Sequence, residues 1–288
     1  MKKTVIFIMM IFLSFSTFAR EYANPNALIS IEELNEIRDQ QGVVVIDYRV
    51  KTPPKKTIPN ARVIIDSDLN KRIDGIDAMI IPKGEFEGLM SRLGVTNTDT
   101  IIIVGEARYN ATRLWWALRL YGHKGQIRVL NESFTMWKNK KYPMESPKKP
   151  IPKKYIAQDP DYSMTAVLDD VIRARDSKDG SNKLLDVRNS AERVGGRIPN
   201  SESVDWVKNL TTSRAKGKFR SADKLEKIYS KVGVTPNIDE IVIYCTVGWR
   251  SSYTTFILVE LLGYKNVKNY DGGWKEYKQT KEPILRGF

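Results

Sequence analysis

Val242-Ile243-Tyr244-Cys245-Thr246-Val247-Gly248-Trp249-Arg250-Ser251-Ser252 runs from a β-branched strand into the chain's single cysteine and on into a helix-like segment. A tight loop at that junction surrounds one thiol with backbone N–H groups. The amides, the positive end of the following helix and the Arg250 guanidinium all favour a thiolate, so the sulfur is a candidate nucleophile near neutral pH. The competing use, a buried cysteine serving as a small hydrophobe, suits the neighbours poorly. Gly248, Arg250, Ser251 and Ser252 are unlike the end of an apolar core.

Outward from that loop the chain repeats itself. Val45-Ile46-Asp47-Tyr48-Arg49 matches Leu184-Leu185-Asp186-Val187-Arg188 at an offset of 139. Ile58-Pro59-Asn60-Ala61 matches Ile198-Pro199-Asn200-Ser201 at 140, and Leu118 to His123 matches Val259 to Tyr264 at 141. Val43 to Asp47, Ala61 to Ile65, Ile101 to Val104, Leu184 to Val187 and Val242 to Tyr244 read as buried strands. Helices are expected from Ile31, capped by Ser30 with Glu33 three residues on, over Ala111 to Tyr121 and over Tyr253 to Leu262. Strands alternating with helices predict an α/β fold, two similar domains each with a mainly parallel sheet flanked by helices. The same alignment sets Val104 against Cys245 and Tyr109 against Arg250, so the first copy lacks both sulfur and cation. It is expected to supply a cleft wall while the second copy carries the chemistry.

The segments outside the repeat differ in kind. Lys2 and Lys3 precede an uncharged run to Ala19, with Thr17-Phe18-Ala19 at a cleavage-like spacing, so residues 1–19 read as a signal peptide and the protein as exported, into the periplasm. The run is short for a membrane span, and no mature transmembrane segment is expected. An exported chain with one cysteine has no internal disulfide to make, so that thiol serves alone, pairs with another molecule or reacts, and turnover chemistry fits its presence better than a staple. Residues 142–158 read as a Lys/Pro-rich linker, a semi-rigid connector and solvated hinge, between domains at 24–141 and 159–288. The formal charge of +13 falls to +11 without Lys2 and Lys3 and favours anionic ligands.

Taken in order, Leu185-Asp186-Val187-Arg188 with Glu192, Gly196-Arg197-Ile198-Pro199, Cys245 to Ser251 and Asp271-Gly272-Gly273-Trp274 resemble the rhodanese or thiosulfate sulfurtransferase family in its tandem form, over about residues 28 to 285. The resemblance implies a ping-pong sulfurtransferase. Cys245 attacks the outer sulfur of thiosulfate or a related small anionic donor and holds it as a persulfide. Cyanide, a thiol or a protein then takes it, with no cofactor besides that covalent intermediate. The loop Thr246, Val247, Gly248, Trp249, Arg250 and Ser251 would surround the sulfur with N–H groups. Arg250 would hold the donor or shape the loop. Ser251 and Ser252 are expected to cap the next helix, and Asp186, Arg188 and Asp271 to brace the site. Trp249 either projects into the cleft or packs on the first domain.

Departures from the family pattern bear on the donor. Glu192 stands six residues after Asp186, where well-known tandem thiosulfate and mercaptopyruvate enzymes carry a substrate-binding arginine. Arg197 replaces a common histidine, and Asn200 and Ser201 replace Gly-Ala. Arg193 and Arg197 are candidates for replacement charge, and Glu192 is expected to pair with Arg188 or Arg193. The rival function is a persulfide carrier or binding module serving one protein partner. A phosphatase of this fold needs its arginine six positions after the nucleophile, and that position is Ser251. Nucleic acid is not an expected partner, since the lysines gather in the linker and no recognition element is present. Cys245 and His123 are the only Cys and His, so no metal site is expected.

Overall fold

The computed structural model describes residues 20–212 and 217–287. The expected signal over 1–19 lies outside them. Each half is built on a five-stranded sheet in which every pairing is parallel. In the first the spatial order is Leu28–Ile29, Ile127–Leu130, Thr100–Gly105, Val43–Arg49, Arg62–Ile65. In the second it is Thr165–Ala166, Val267–Tyr270, Glu240–Tyr244, Asn182–Asp186, Glu202–Ser203, the same arrangement. Continuous runs such as Val44-Val45-Ile46 and Val242-Ile243-Tyr244 are buried throughout, as strands covered by helices on both faces must be. Ser30 caps the helix Ile31–Ile37 through the Glu33 N–H at 3.1 Å.

Strand register corrects the internal alignment. Asp47 lies opposite Val104 and Asp186 opposite Tyr244, so the residue after each partner is Gly105 in one sheet and Cys245 in the other. Gly105, not Val104, occupies the sulfur's place. The following helices start at Arg108, capped by Ala107, and at Trp249, capped by Gly248. The first loop is therefore one residue shorter, which explains why the offset moves from 140 to 141 along the chain.

The halves meet through these two helices, Arg108–Leu120 and Trp249–Phe256, with Trp115 edge-on to Phe256 at 5.1 Å. The second helix begins four residues before the expected Tyr253 and passes into a π-helical turn, Ile257–Leu261. That turn carries the buried Glu260, whose carboxylate accepts from Trp115 Nε1 at 3.0 Å, Arg119 Nη2 at 2.7 Å and Asn24 Nδ2 at 2.6 Å. Each half also sends an excursion to the other. A hairpin, Asn70–Ile73 with Ile76–Ile80, donates the Ile80 N–H to Asp271 Oδ2 at 3.0 Å. Reciprocally, the Phe219 N–H donates to Asn131 Oδ1 at 3.2 Å. Asp271 and Asn131 each directly follow their sheet's equivalent strand.

The Lys/Pro-rich segment is extended and its lysines are exposed, as expected of a solvated connector, but it is fastened to the first half rather than hinged. Thr57 and Glu145 exchange two backbone bonds, Lys153 N–H donates to Ser91 O, and Tyr155 is buried beside His123. The lysines stay in water while Tyr155, Ala157 and the ladder-like bonds strap the segment to the first half.

Candidate active site

The strand Glu240–Tyr244 is central in its sheet, and Cys245 follows it at the sheet's carboxyl end, where parallel α/β sheets open their crevices. The Cys245 carbonyl accepts from Trp274 N–H at 2.8 Å and the Thr246 carbonyl from Lys275 N–H at 3.1 Å, which fixes the start of the loop against the helix Gly273–Tyr277. Gly248 turns the chain with φ 81°; a Cβ there would stand 2.7 Å from the Asp271 carbonyl oxygen and 2.8 Å from Arg113 Nη1. Only glycine fits both the backbone and the space. The ladder's first bond out of the loop runs from Ser252 N–H to Gly248 O, so the N–H groups ahead of it have no helical partner and point their positive ends at the loop.

Cys245 is 1% exposed, and its Sγ accepts from Ser251 Oγ at 3.5 Å. It forms the floor of a cavity of about 290 Å³ whose remaining lining comes from Thr246, Val247, Trp249 and Arg250 of the loop, Trp206 of the same half and Tyr109 of the other. Tyr109 lies 5.5 Å from the Trp206 ring and 6.0 Å from that of Trp249. The first half therefore does supply a wall. Trp249 meets both expectations at once, facing the cavity and packing on Tyr109.

Arg250 sits beside the sulfur but is not free. Its Nη1 and Nη2 each donate to Glu192 at 2.7 Å, and Nη2 also to Thr246 Oγ1 at 2.8 Å, while Thr246 donates to Glu192 at 2.8 Å. Glu192 thus pairs with Arg250, correcting the expected Arg188 or Arg193. Burial pushes the Glu192 carboxyl up, but the hydrogen bonds from Arg250 and Thr246 outweigh it and hold the group down at about 2. For Arg250, burial works against its charge and the Glu192 bond more than compensates, so its pKa is raised. Paired charges of this kind are held in place by geometry as much as by attraction.

Asp186 and Arg188 form a buried pair, with Arg188 Nη2 2.6 Å from Asp186 Oδ2 and 2.9 Å from the Gly196 carbonyl, sandwiched between the Tyr244 and Trp274 rings. They lie beneath the loop rather than in the cavity. Asp271 is buried against Arg113, whose Nε donates to Asn70 Oδ1 at 2.9 Å and whose Nη2 donates to the Ala78 carbonyl at 2.9 Å. Arg193 and Arg197 do not reach the cysteine; with Ser190, Ser201 and Ser203 they line a separate cavity of about 280 Å³. The short helix Ser190–Val194 turns Glu192 one way and Arg193 the other. Ser251 and Ser252 are not caps, since Gly248 holds that position: Ser251 addresses the sulfur, and Ser252 Oγ donates to the Trp249 carbonyl at 2.7 Å.

Sequence reasoning missed Arg113 and Trp206, and took Tyr109 only as a lost cation. Tyr109 carried a signal, an aromatic ring at the loop-facing start of the equivalent helix. Arg113 carried none, being one more basic residue on an expected helix. Among the described residues, no group of three or more His, Cys, Asp and Glu side chains is placed to hold a metal ion, and no helix is long and apolar enough to cross a membrane.

The sequence profile of the rhodanese-like domain matches residues 30–140 and again 169–280. The sulfur carrier protein TtuD of Thermus thermophilus is 32% identical over 290 residues, 92% of this chain and 99% of its own. A candidate thiosulfate sulfurtransferase of Mycolicibacterium smegmatis is 35% identical over 224 residues, 72% of this chain and 76% of its own. Among solved structures, wild-type EanB superimposes with a TM-score of 0.79 at 20% identity, covering 92% of this chain and 70% of that one; this likeness concerns the fold. Two profile matches, one on each sheet, and a full-length relative agree with the repeated architecture. The chain belongs to the rhodanese-like family as a two-domain enzyme of the thiosulfate sulfurtransferase-like type.

Proposed function

We propose that the protein moves a sulfane sulfur from thiosulfate or a related small donor to a thiophilic acceptor, through a persulfide on Cys245. The observation that carries this reading is the position of Cys245 Sγ at the floor of a cavity, inside a loop that begins a helix. With thiosulfate, the thiolate attacks the outer sulfur, the S–S bond of the donor breaks, and sulfite leaves with the electron pair. Cyanide, a thiol or a protein thiolate then attacks the outer sulfur of Cys245–S–S⁻ and returns the thiolate. Charge shifts by one sulfur at each step, and the loop amides and the helix end are placed to stabilise it at both positions.

A second reading, a dedicated carrier that hands sulfur to one protein partner, is favoured by the TtuD relative, a sulfur carrier protein by name. Intact mass of the protein after brief exposure to thiosulfate and to an organic persulfide tests both. A gain of one sulfur, roughly 32 Da, reversible by cyanide and absent from Cys245→Ser, is expected for a persulfide on the nucleophile. Repeated thiocyanate formation supports the enzyme, and stoichiometric loading released only to a partner protein supports the carrier. No adduct from either donor overturns both. The N-terminal Lys2-Lys3 and apolar run further support export to the periplasm; a mature N-terminus at Met1 in cell fractions would overturn that part.

A further inference from the structure

The Cys245 cavity has an aromatic wall in which Tyr109 packs against both Trp206 and Trp249, and among the described residues the guanidinium that lines it is already neutralised. Arg250 commits two nitrogens to Glu192 and one of them also to Thr246. Glu192 is fixed in turn by Asn189 Nδ2 at 2.6 Å and by the Asn189 backbone N–H at 3.3 Å, so it is built into the loop rather than resting on it. The paired side chains sum to zero charge. A thiolate meeting thiosulfate would place three negative charges in this space.

Granting that Cys245 carries sulfur as set out above, we propose that Glu192 determines substrate charge: by cancelling Arg250 it makes the cavity a site for an organic thiol and its persulfide, with an apolar or aromatic body and little net charge, in preference to dianionic thiosulfate. In that couple the Cys245 thiolate attacks the terminal sulfur of R–S–SH, the donor S–S bond breaks, and R–S⁻ leaves with the electron pair while the proton stays on the transferred sulfur. A neutral donor enters, the single negative charge passes from Cys245 to the departing thiolate, and the site never holds more than one. The rings pack against R, and the repulsion that thiosulfate meets does not arise.

Rates of sulfur addition to Cys245 from thiosulfate and from benzyl hydropersulfide, measured by mass in the wild type and in Glu192→Gln, test this. Glutamine keeps an oxygen for the Asn189 bonds to Oε2, puts an amide nitrogen in the Oε1 position that accepted from Thr246, and releases Arg250's charge. The wild type is expected to favour the benzyl donor. The variant is expected to gain about tenfold in kcat/KM for thiosulfate, mostly in KM, with the benzyl rate moving less than about threefold. A wild type that favours thiosulfate, or a variant in which both donors shift by one factor, overturns the proposal. Alkylation of Cys245 by iodoacetamide and iodoacetate needs no sulfur transfer and separates the two readings. If no donor loads sulfur, the sulfurtransferase reading fails, and the charge assignment stands or falls on whether wild-type Cys245 disfavours iodoacetate relative to free cysteine and Glu192→Gln narrows that gap.

Discussion

Glu192 is a partly buried carboxylate that accepts from Arg250, Thr246 and Asn189, and it is held at about 2 against an ordinary 4.5. A depressed acid binds fewer protons folded than unfolded, so its contribution is complete above pH 4.5 and disappears as pH falls toward 2. Allowing for the solvent that reaches the pair, it is roughly 2 kcal/mol. Urea midpoints recorded from neutral pH down through this window are expected to fall more steeply for the wild type than for Glu192→Gln, and parallel curves would refute the assignment. At this scale the sequence disclosed what is local. Cys245 at a strand end, glycine at the turn, and Asp186 two residues from Arg188 are short-range patterns with one geometric solution. The partner of Glu192 was not legible, because Arg250 lies 58 positions away and which of several arginines it meets depends on how the helix Ser190–Val194 is rotated on the sheet. Arg193 illustrates the same point from the other side: one step along that helix, it faces a different cavity.

Among the elements, the active loop rests on a contact that belongs to neither half alone. Asp271 directly follows the last strand of the second half and accepts from Ile80 of the first half's hairpin, while Arg113, fully buried in the first half's helix, donates to the other carboxylate oxygen. This pair lies directly under Gly248. Removing one member of a buried pair leaves the other uncompensated, so Arg113→Met is expected to cost about 3–5 kcal/mol. Arg113→Met with Asp271→Asn should recover part of the loss, since the amide carbonyl still receives the Ile80 N–H without carrying a charge. Guanidinium denaturation of the two variants checks this, and a double variant no more stable than the single one would place the cost elsewhere. The strands and the alternation that fixes their order were legible, since β-branched runs report burial on both faces. The extra residue in the catalytic loop was not. Repeat matching sees residue types on either side of an insertion, whereas only strand register locates Gly105 opposite the place of Cys245. The strapped linker was misread for a related reason: lysine and proline content predicts extension, but Tyr155 and the bonds to Ser91 and Thr57 decide where the extended segment lies.

Across the whole molecule, the repeat suggests two units, yet one buried apolar cluster runs through both, joining Trp115, Leu118 and Ile103 of the first half to Tyr253, Phe256 and Leu261 of the second. The inert copy therefore does more than wall the cleft. Tyr109 completes the cavity, Arg113 holds Asp271, and the segment from Arg20 to Asn24 crosses to bond Asp223 and Glu260. A boundary made of core, with buried polar groups satisfied across it, couples the halves more strongly than the polar contact usual between domains. Thermal unfolding is accordingly expected as one transition, with calorimetric and van't Hoff enthalpies in agreement. Trp115 gives the sharpest test, because it is fully buried on the boundary, edge-on to Phe256 and donating to Glu260. Trp115→Ala should cost about 3–5 kcal/mol and lower the midpoint of the entire transition by at least about 6 °C. If the endotherm instead splits, with one peak left at the wild-type temperature, the halves fold independently, and the support that the first half gives the Cys245 loop would be a matter of contact alone.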